Sequence, residues 1–466
     1  MSTGNTPIRP GAARREGLVS SASLTLATRV AAFAFSLATN VILARSLGPE
    51  GRGVYAVAVL IPALIGLFSQ LGIGQANVFH FSKGLLDADE LIGHAFSLAL
   101  VLGAAGYLAV WGYVELTGSH QFAGIGSSFV LVSCLSLPFT LLVIFLQGVL
   151  NGAQRYRLWN SVLLTQYASP TLTLAVALLA FHASTMAAVA AWTASCVITA
   201  AVATFNVRRL GRFSLRMRWS SLRQLLKFGL VGYLSSLTSF INYRFDVLIV
   251  NLFAGARQVG LYAVGTGLAE IVWYLANAAG IVLAPKVAAS ERDQGDRMTE
   301  AVCRVVTLLA LAAGLVLAVL APFVVVLFFG EAFAESVWAV WLLLPGIVTF
   351  SVARVLSMYL LGRNQLKFDL LASLCGLVVT LALDLLLIPR FGFRGAAVAS
   401  TIAYTCAMGV DLFWVTRTST ITVRGLLIAR RSDLRLLWRR VRELLASLPA
   451  KNRGEGSGKD LEIEPE

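Results

Sequence analysis

The sequence has 466 residues, of which 57% are hydrophobic and only 13% are charged. A soluble domain of this size would have about a quarter of its residues charged, so the composition excludes an ordinary soluble protein. The formal net charge of +14 lies mostly in short hydrophilic segments between apolar runs. That distribution is typical of a polytopic membrane protein and not of a nucleic-acid-binding protein.

A helix needs roughly 20 mainly apolar residues to cross a bilayer, and the chain contains twelve segments of this kind. The predicted spans are 20–44, 54–76, 91–113, 127–150, 160–181, 185–206, 228–252, 262–284, 302–329, 338–361, 368–388 and 395–416. The predicted fold class is therefore an all-α polytopic membrane protein with about twelve transmembrane helices. The five cysteines have no CxxC spacing and the four histidines are scattered, so neither a metal site nor a disulfide framework is predicted.

The hydrophilic segment 207–227 contains seven Lys and Arg and divides the apolar chain into residues 20–206 and residues 228–416. Positively charged loops stay on the cytoplasmic side of a membrane, so we expect this linker to be cytoplasmic. Each half contains six predicted spans, which also places the N-terminal tail, 1–19, and the C-terminal tail, 417–466, in the cytoplasm. The expected location is the plasma membrane, with both tails on its cytoplasmic side.

A short internal repeat relates the two halves. The sequence Gly-Val-Tyr-Ala-Val at 53–57 opens the second span, and Gly-Leu-Tyr-Ala-Val at 260–264 opens the eighth span, 207 residues later. Because each half has an even number of spans, both halves enter the membrane from the same side. The sequence therefore predicts two six-helix bundles related by a pseudo-twofold axis along the membrane normal.

The tail after the last span changes character. Apolar side chains recur there at helical spacing, opposite four arginines, which predicts an amphipathic helix on anionic lipid headgroups. The apolar positions are Leu434, Leu437, Trp438, Val441, Leu445 and Leu448. The final residues, 451–466, are polar and contain glycine, so we expect them to be disordered.

Several segments resemble a known family. Residues 42–84 contain the pattern (L/A)-R-x-L-G-P-E followed by G-x-Y, and further similar segments lie at 147–155, 245–262 and 388–397. In this order and spacing they resemble polysaccharide flippases of the Wzx type, which belong to the MOP exporter superfamily that also contains the MATE transporters. The resemblance extends over about residues 20–416.

The resemblance implies two six-helix bundles around a central cavity that opens alternately to each side. The implied activity is the flipping of oligosaccharides or polysaccharide repeat units linked to a polyprenyl diphosphate, for the biosynthesis of cell-surface polysaccharide. The protein is then expected to be a transporter and not an enzyme. It needs no cofactor, although coupling to H⁺ or Na⁺ stays open. Membrane lipids are the other expected partners, and the resemblance suggests a polysaccharide polymerase or other assembly proteins as well.

Charged residues within the spans are the candidates for the substrate site, because such groups are costly in hydrocarbon and usually face a cavity or a partner. Arg29 lies about nine residues into the first span, near the expected midplane. The planar fork of arginine suits a diphosphate, whereas an ion pair with Glu270 is the structural alternative. Arg244 and Asp246 are two residues apart, which directs their side chains to different helix faces.

Three further arginines complete the substrate candidates. Arg45 and Arg52 flank the first outer turn, where extension of their side chains to the membrane interface is the simpler interpretation and a cavity role is the alternative. Arg354 lies nearer the inner end of its span, where it could meet a diphosphate that arrives from the cytoplasm. Glu270 and Asp246 are the candidates for ion coupling, because a carboxyl group in a span could carry a proton through the cycle. Asp384 is expected to cap an outer helix edge.

Three other functions are compatible with parts of the sequence. A lipid II flippase and a MATE-type multidrug exporter are the alternatives within the superfamily. An exporter of cationic drugs should have an acidic cavity, whereas the charges within these spans are mainly arginines. A polytopic glycosyltransferase or polymerase is a more remote alternative and would need a large outer loop with paired carboxylates. Glu331 and Glu335 are the only close outer pair, and their loop is small.

Overall fold

The computed structural model describes residues 18–118, 121–122, 124–180, 184–211 and 218–428. Over these residues the chain is almost entirely helical, as predicted. Its helices are α1 (Leu18–Ser69), α2 (Ile73–Ser82), α3 (Ala88–Thr117), α4 (Ser127–Cys134), α5 (Leu137–Gly152), α6 (Tyr156–Ala180), α7 (Thr185–Val207), α8 (Trp219–Ala269), α9 (Tyr274–Ala289), α10 (Arg292–Phe329), α11 (Ser336–Gly362), α12 (Leu366–Phe391), α13 (Phe393–Thr418) and α14 (Val423–Leu427). A two-stranded antiparallel hairpin, β1 (Gln121–Phe122) and β2 (Ile125–Gly126), joins α3 to α4. The predicted amphipathic helix of the tail and its polar end lie outside the described residues.

Two of these helices are broken by a glycine and each contains two predicted spans. Gly48 interrupts α1 with φ 64° and ψ −177°, and Gly255 interrupts α8 with φ 81° and ψ 171°. A positive φ is strained for residues that carry a Cβ, so glycine suits both turns. Ten helical stretches of the described chain are long and apolar enough to cross a membrane. Two of them, Leu24–Ser69 and Arg244–Ala289, contain these breaks, which accounts for the difference from twelve predicted spans.

The two glycine breaks are 207 residues apart, the offset of the sequence repeat, and the segments after them pack reciprocally. A Cβ on Gly53 would overlap the carbonyl oxygen of Ala256, and a Cβ on Gly260 would overlap the carbonyl oxygen of Pro49. These two contacts are exchanged by the repeat offset. The repeat therefore corresponds to a local twofold relation in space. The complete arrangement of two six-helix bundles stays a prediction.

The buried hydrophobic residues form three cores, which lie toward different ends of the helices. One large core includes buried residues from both halves, such as Leu43 and Val57 before the linker and Tyr262 and Phe393 after it. A second core is built from residues 73–225 and a third from residues 276–426. We call the end of the bundle where Gly48 and Gly255 lie the Gly48 end, and the end where residues 207–211 and 218–227 lie the linker end. The halves share one core toward the Gly48 end and have separate cores toward the linker end.

Candidate functional site

An ion pair stands at the centre of the candidate site. The Nη2 of Arg244 on α8 lies 3.4 Å from the Oε2 of Glu270, which begins a short 3₁₀ helix (Glu270–Trp273) between α8 and α9. The Arg244 side chain is 41% exposed, so part of its guanidinium stays accessible. The structure therefore gives Glu270 a different partner from Arg29, the one suggested by sequence. A guanidinium held on one side by a carboxylate retains donors for a second anion.

Asp246 lies two residues after Arg244 and has different hydrogen-bond partners, as the helix geometry predicts. Its Oδ2 accepts a 2.5 Å hydrogen bond from the hydroxyl of Tyr262, and its Oδ1 accepts one of 2.7 Å from the backbone N–H of Val247. Asp246 is buried, and the Tyr262 hydroxyl also lies 3.4 Å from the Oγ of Ser400. The buried carboxylate of Asp246 is thus held by two donors of the broken helix α8, and Tyr262 extends the contact to α13.

The position of Asp384 in the structure differs from the predicted one. Asp384 does not cap an exposed helix edge, because its side chain is completely buried in α12. Neither carboxylate oxygen has a hydrogen-bond partner among the described residues, and Asp246 is close enough to interact with it electrostatically. One turn earlier on the same helix, Thr380 donates a 2.9 Å hydrogen bond to the side chain of Asn242. Burial of an unpaired carboxylate is costly, so this position calls for a ligand or a proton.

Arg52 is buried. The sequence analysis favoured an exposed position for it at the membrane interface. Its Nη2 donates a 2.6 Å hydrogen bond to the Oδ1 of Asn40, and its guanidinium lies 5.8 Å from the ring centre of Tyr55. It also lies in electrostatic range of Arg244. The interpretation as an interface side chain was therefore wrong for Arg52. Arg52 therefore approaches Arg244 from the Gly48 end.

Arg45 has other partners than Arg52, Arg244 and Glu270. Its side chain is exposed and reaches across to the other half of the molecule, where Nε donates a 2.8 Å hydrogen bond to the carbonyl oxygen of Phe328 and Nη2 donates to the carbonyl oxygen of Leu327. Both carbonyl groups belong to the last turn of α10, which has no further helical N–H groups to satisfy them. Arg45 is therefore a cap on a helix C-terminus and a link between the halves at the Gly48 end.

Arg354 and Arg29 lie toward the linker end of the same region. The Nε of Arg354 donates a 3.0 Å hydrogen bond to the Oδ1 of Asn277, and its guanidinium lies 6.0 Å from the ring centre of Phe350. Arg29 is exposed. Four residues later on the same helix face, Phe33 contacts Tyr274 with 6.0 Å between ring centres. Arg29 therefore lies one turn from a contact between α1 and α9.

The structure thus brings four predicted residues into one group, which we call the central cluster: Arg52, Arg244, Asp246 and Glu270. The sequence analysis missed the neutral residues that form hydrogen bonds with it, Asn40 and Tyr262. One signal was present for Tyr262, because it is the tyrosine of the repeated Gly-x-Tyr motif. Asn40 belongs to no motif that could have indicated it.

A separate cavity of about 610 Å³ lies between α5 and α7 and contains no residue of the central cluster. Its lining is Phe139, Leu142, Val197, Ala200, Ala201, Val202, Thr204, Phe205 and Arg208. Arg208 is the only ionisable side chain of that lining. A nearly uniform apolar lining cannot recognise a charged head group, so we do not assign the substrate to this cavity.

The sequence is similar to a known family and to individual transport proteins. Residues 42–338 match the model of a family described as "Polysaccharide biosynthesis protein". The "Putative O-antigen transporter" of Shigella flexneri is 23% identical over 379 residues, which cover 77% of this chain and 88% of that protein. The "Probable low-salt glycan biosynthesis flippase Agl15" of Haloferax volcanii is 23% identical over 186 residues, 39% of each chain.

Two solved structures have a similar fold. The lipid II flippase MurJ in an inward closed conformation has a TM-score of 0.73 at 14% identity and covers 93% of this chain and 94% of its own. An inward-facing multidrug resistance MATE family transporter of the MOP superfamily has a TM-score of 0.64 at 17% identity and covers 92% of this chain and 100% of its own. At these identities the likeness concerns the fold alone.

Proposed function

The chain belongs to the polysaccharide biosynthesis protein family, and from this premise we propose that it flips oligosaccharides or polysaccharide repeat units, linked to a polyprenyl diphosphate, across a membrane. The observation that carries the proposal is the central cluster, in which Arg52, Arg244 and Glu270 meet between two halves that share a core at one end only. The names of the two relatives, a transporter of O-antigen and a flippase for glycan biosynthesis, support it.

The arginines suit the diphosphate of such a substrate. Arg244 is held by Glu270 and remains partly exposed, and the exposed Arg29 has no hydrogen-bond or ion-pair partner among the described residues. Arg354 is positioned by Asn277. A diphosphate presents several acceptor oxygens, and planar guanidinium groups can bind two of them at once. The polyprenyl chain would stay in the hydrocarbon while the sugars cross between the halves.

The separate cores indicate how access would alternate. Toward the linker end the two halves have separate cores and meet where α2 contacts the start of α8, and we propose that this contact opens; toward the Gly48 end one core joins the halves. We propose that the basic linker end faces the cytoplasm of a bacterial cell, because translocating positive segments is unfavourable. Substrate would then enter from the cytoplasmic side and leave when the Gly48 end opens. A polysaccharide polymerase would receive it there.

Coupling to an ion gradient is best supported at Asp246 and Asp384. The two carboxyl groups interact inside the protein, both are buried, and Asp384 has no hydrogen-bond partner among the described residues. A proton on one carboxyl, or a Na⁺ ion bound by carboxylate and hydroxyl oxygens, would remove this cost. Glu270 is a weaker candidate for this role than the sequence analysis suggested, because Arg244 already compensates its charge.

The experiment that tests the function is the sidedness of lipid-linked sugars in cells depleted of this protein, measured with a membrane-impermeant glycan hydrolase. We expect polyprenyl-diphosphate-linked saccharide to accumulate on the cytoplasmic face, and re-expression to reverse the effect. Re-expression of Arg29→Ala should fail to do so although the variant inserts into the membrane. Unchanged sidedness would contradict the proposal and favour export of another compound. Accumulation of lipid II alone would make the protein a lipid II flippase, and loss of the lipid-linked glycan would indicate a transferase.

A further inference from the structure

Three aromatic side chains from three different helices come together beside the central cluster. Phe33 on α1 and Tyr274 on α9 are in edge-to-face contact at 6.0 Å between ring centres, with an interplanar angle of 73°. Tyr167 lies on α6 one turn before Thr171, whose hydroxyl donates a 3.1 Å hydrogen bond to the carbonyl oxygen of Phe35 on α1, which places Tyr167 beside this part of α1 and in electrostatic range of Tyr274. We call these three residues the aromatic triad. Helices α1 and α6 belong to the half before the linker, and α9 belongs to the half after it, so the triad bridges the two halves.

The members of the triad are unusually accessible for side chains at a junction between helices. Phe33 is 38% exposed, Tyr167 39% and Tyr274 55%. Aromatic rings on the lipid-facing surface can also be exposed, but these rings lie between the halves, and Tyr274 is within electrostatic range of Glu270 and Arg244 as well. The open faces of the triad therefore line the same space as the central cluster.

From this placement we propose that the aromatic triad is a stacking site for a sugar ring of the transported lipid, separate from the arginines that bind its diphosphate. The proposal rests on the proposed function. Aromatic rings present broad apolar faces to the C–H groups of a pyranose, and the tyrosine hydroxyls can exchange hydrogen bonds with its hydroxyl groups. Tyrosine supplies this contact area at a small cost in side-chain entropy.

The neighbours of the triad fit a neutral, polar ring next to an anionic group. Glu270, the partner of Arg244, lies one helical turn before Tyr274, and Asn277, the partner of Arg354, lies one turn after it. The triad itself has no formal charge, so the two arginines flank an uncharged section of the cavity. Asn277 accepts from Arg354 through its Oδ1, which leaves its amide N–H groups available for a sugar hydroxyl.

The test compares two lipids on the purified, full-length chain in nanodiscs. The probes are undecaprenyl diphosphate without sugar and the polyprenyl-diphosphate-linked saccharide fraction extracted from the native host, and binding is measured by native mass spectrometry. We expect the wild type to prefer the saccharide-linked lipid. Tyr274→Ala should reduce this preference by about tenfold, while its affinity for the bare diphosphate lipid stays unchanged. Tyr274→Phe should keep most of the preference, because it retains the ring.

Two further variants separate the possible causes. Tyr167→Ala should reproduce the effect of Tyr274→Ala, and it serves as the readout if the latter does not fold. Tyr113→Ala is the matched control, because Tyr113 is also half-exposed but packs on Phe122 at the Gly48 end. It should retain the full preference. Equal binding of both lipids by the wild type, or an unchanged preference in both triad variants, would overturn the sugar site and leave the proposed function standing. Failure of the wild type to bind either lipid would overturn the proposed function itself.

Discussion

The two ends of the molecule are held together in different ways. At the Gly48 end the halves share a hydrophobic core, and the backbones of the two repeat segments touch at Gly53 and Gly260. At the linker end the cores are separate, but the halves also touch where α2 meets the start of α8. Phe228 stacks on Phe79 there at 4.2 Å, and a Cβ on Gly72 would overlap the carbonyl oxygen of Gly229. The central cluster lies between these ends. The difference shows that a shared core joins the halves only at the Gly48 end, and it identifies the contacts that must break for that end to open.

The contacts that close the Gly48 end depend on shape more than on charge. Glycine at the two repeat positions allows backbone to approach backbone, a contact that can re-form in each cycle without strong bonds to break. The exposed link from Arg45 to the end of α10 adds a weaker polar tie between the halves. Such an arrangement suits a surface that must open and close, because its stability comes from many small contacts.

The largest effect is expected from Gly53→Ala, because this substitution disrupts the backbone contact between the halves at the Gly48 end. The added Cβ would overlap the carbonyl oxygen of Ala256, so the two halves could no longer approach fully. We expect at least a tenfold loss of transport and a decrease of about 1–3 kcal/mol in the free energy of unfolding. Reconstituted flipping and thermal unfolding measure these effects. Gly267→Ala is the matched control, because no atom lies within 4 Å of its added Cβ, and equal behaviour of the two variants would contradict the role of the closed end.

Arg244→Ala should produce the next largest effect, at the site that the closed end protects. Loss of a charge-assisted contact of about 1.5–3 kcal/mol should lower the affinity for undecaprenyl diphosphate by about 10- to 100-fold. Arg257→Ala is the control, because Arg257 forms an exposed pair with Glu335 at 3.5 Å, nearly the same distance as the Arg244 pair. An exposed pair contributes little, so this variant should bind normally. Similar losses in both variants would show that the position in the cavity is not what matters.

Asp384→Asn tests whether movement between the two ends is coupled to an ion. Neither oxygen of Asp384 has a hydrogen bond to lose among the described residues, so the thermal unfolding midpoint should not decrease. Flipping in proteoliposomes should become insensitive to imposed H⁺ and Na⁺ gradients, with a loss of about tenfold when a gradient is applied. Thr380→Val, one turn away, should weaken the response without abolishing it. A full gradient response in Asp384→Asn would exclude this carboxyl from coupling.

The smallest expected effect belongs to Arg45→Ala, which should weaken the contact between the halves at the Gly48 end without deforming the backbone there. Removal of a cation from a helix C-terminus costs about 0.3–1 kcal/mol, so the population open at the Gly48 end should rise by about two- to fivefold. Tyr113 and Phe391 are both exposed and belong to different halves. Spin labels attached to Tyr113→Cys and Phe391→Cys would give the distance between the halves by electron paramagnetic resonance. An unchanged distance distribution would show that Arg45 is only a local cap.

The membrane character of the chain, its apolar segments and its family could all be predicted from the amino-acid sequence, because each of these follows from local composition or from motifs along the chain. The sequence also contains the glycine-led repeat, and the structure adds that the repeated segments pack against each other. Eight of the twelve predicted spans coincide with a single helix or with the pair α4 and α5, since about 20 apolar residues suffice to define a crossing helix.

Which charged side chains contact one another could be seen only after the helices were placed in three dimensions. Glu270 pairs with Arg244 and not with Arg29, Arg52 is buried against Asn40, and Asp384 is buried near Asp246. The partners in these contacts come from different spans or from separate turns of a broken helix. Hydrophobicity sets how deep a residue lies in a span, but the rotation of each helix and the choice of its neighbours set which side chains face one another. Those choices depend on packing between distant segments, and for that reason the geometry of the cavity could not be read from the sequence.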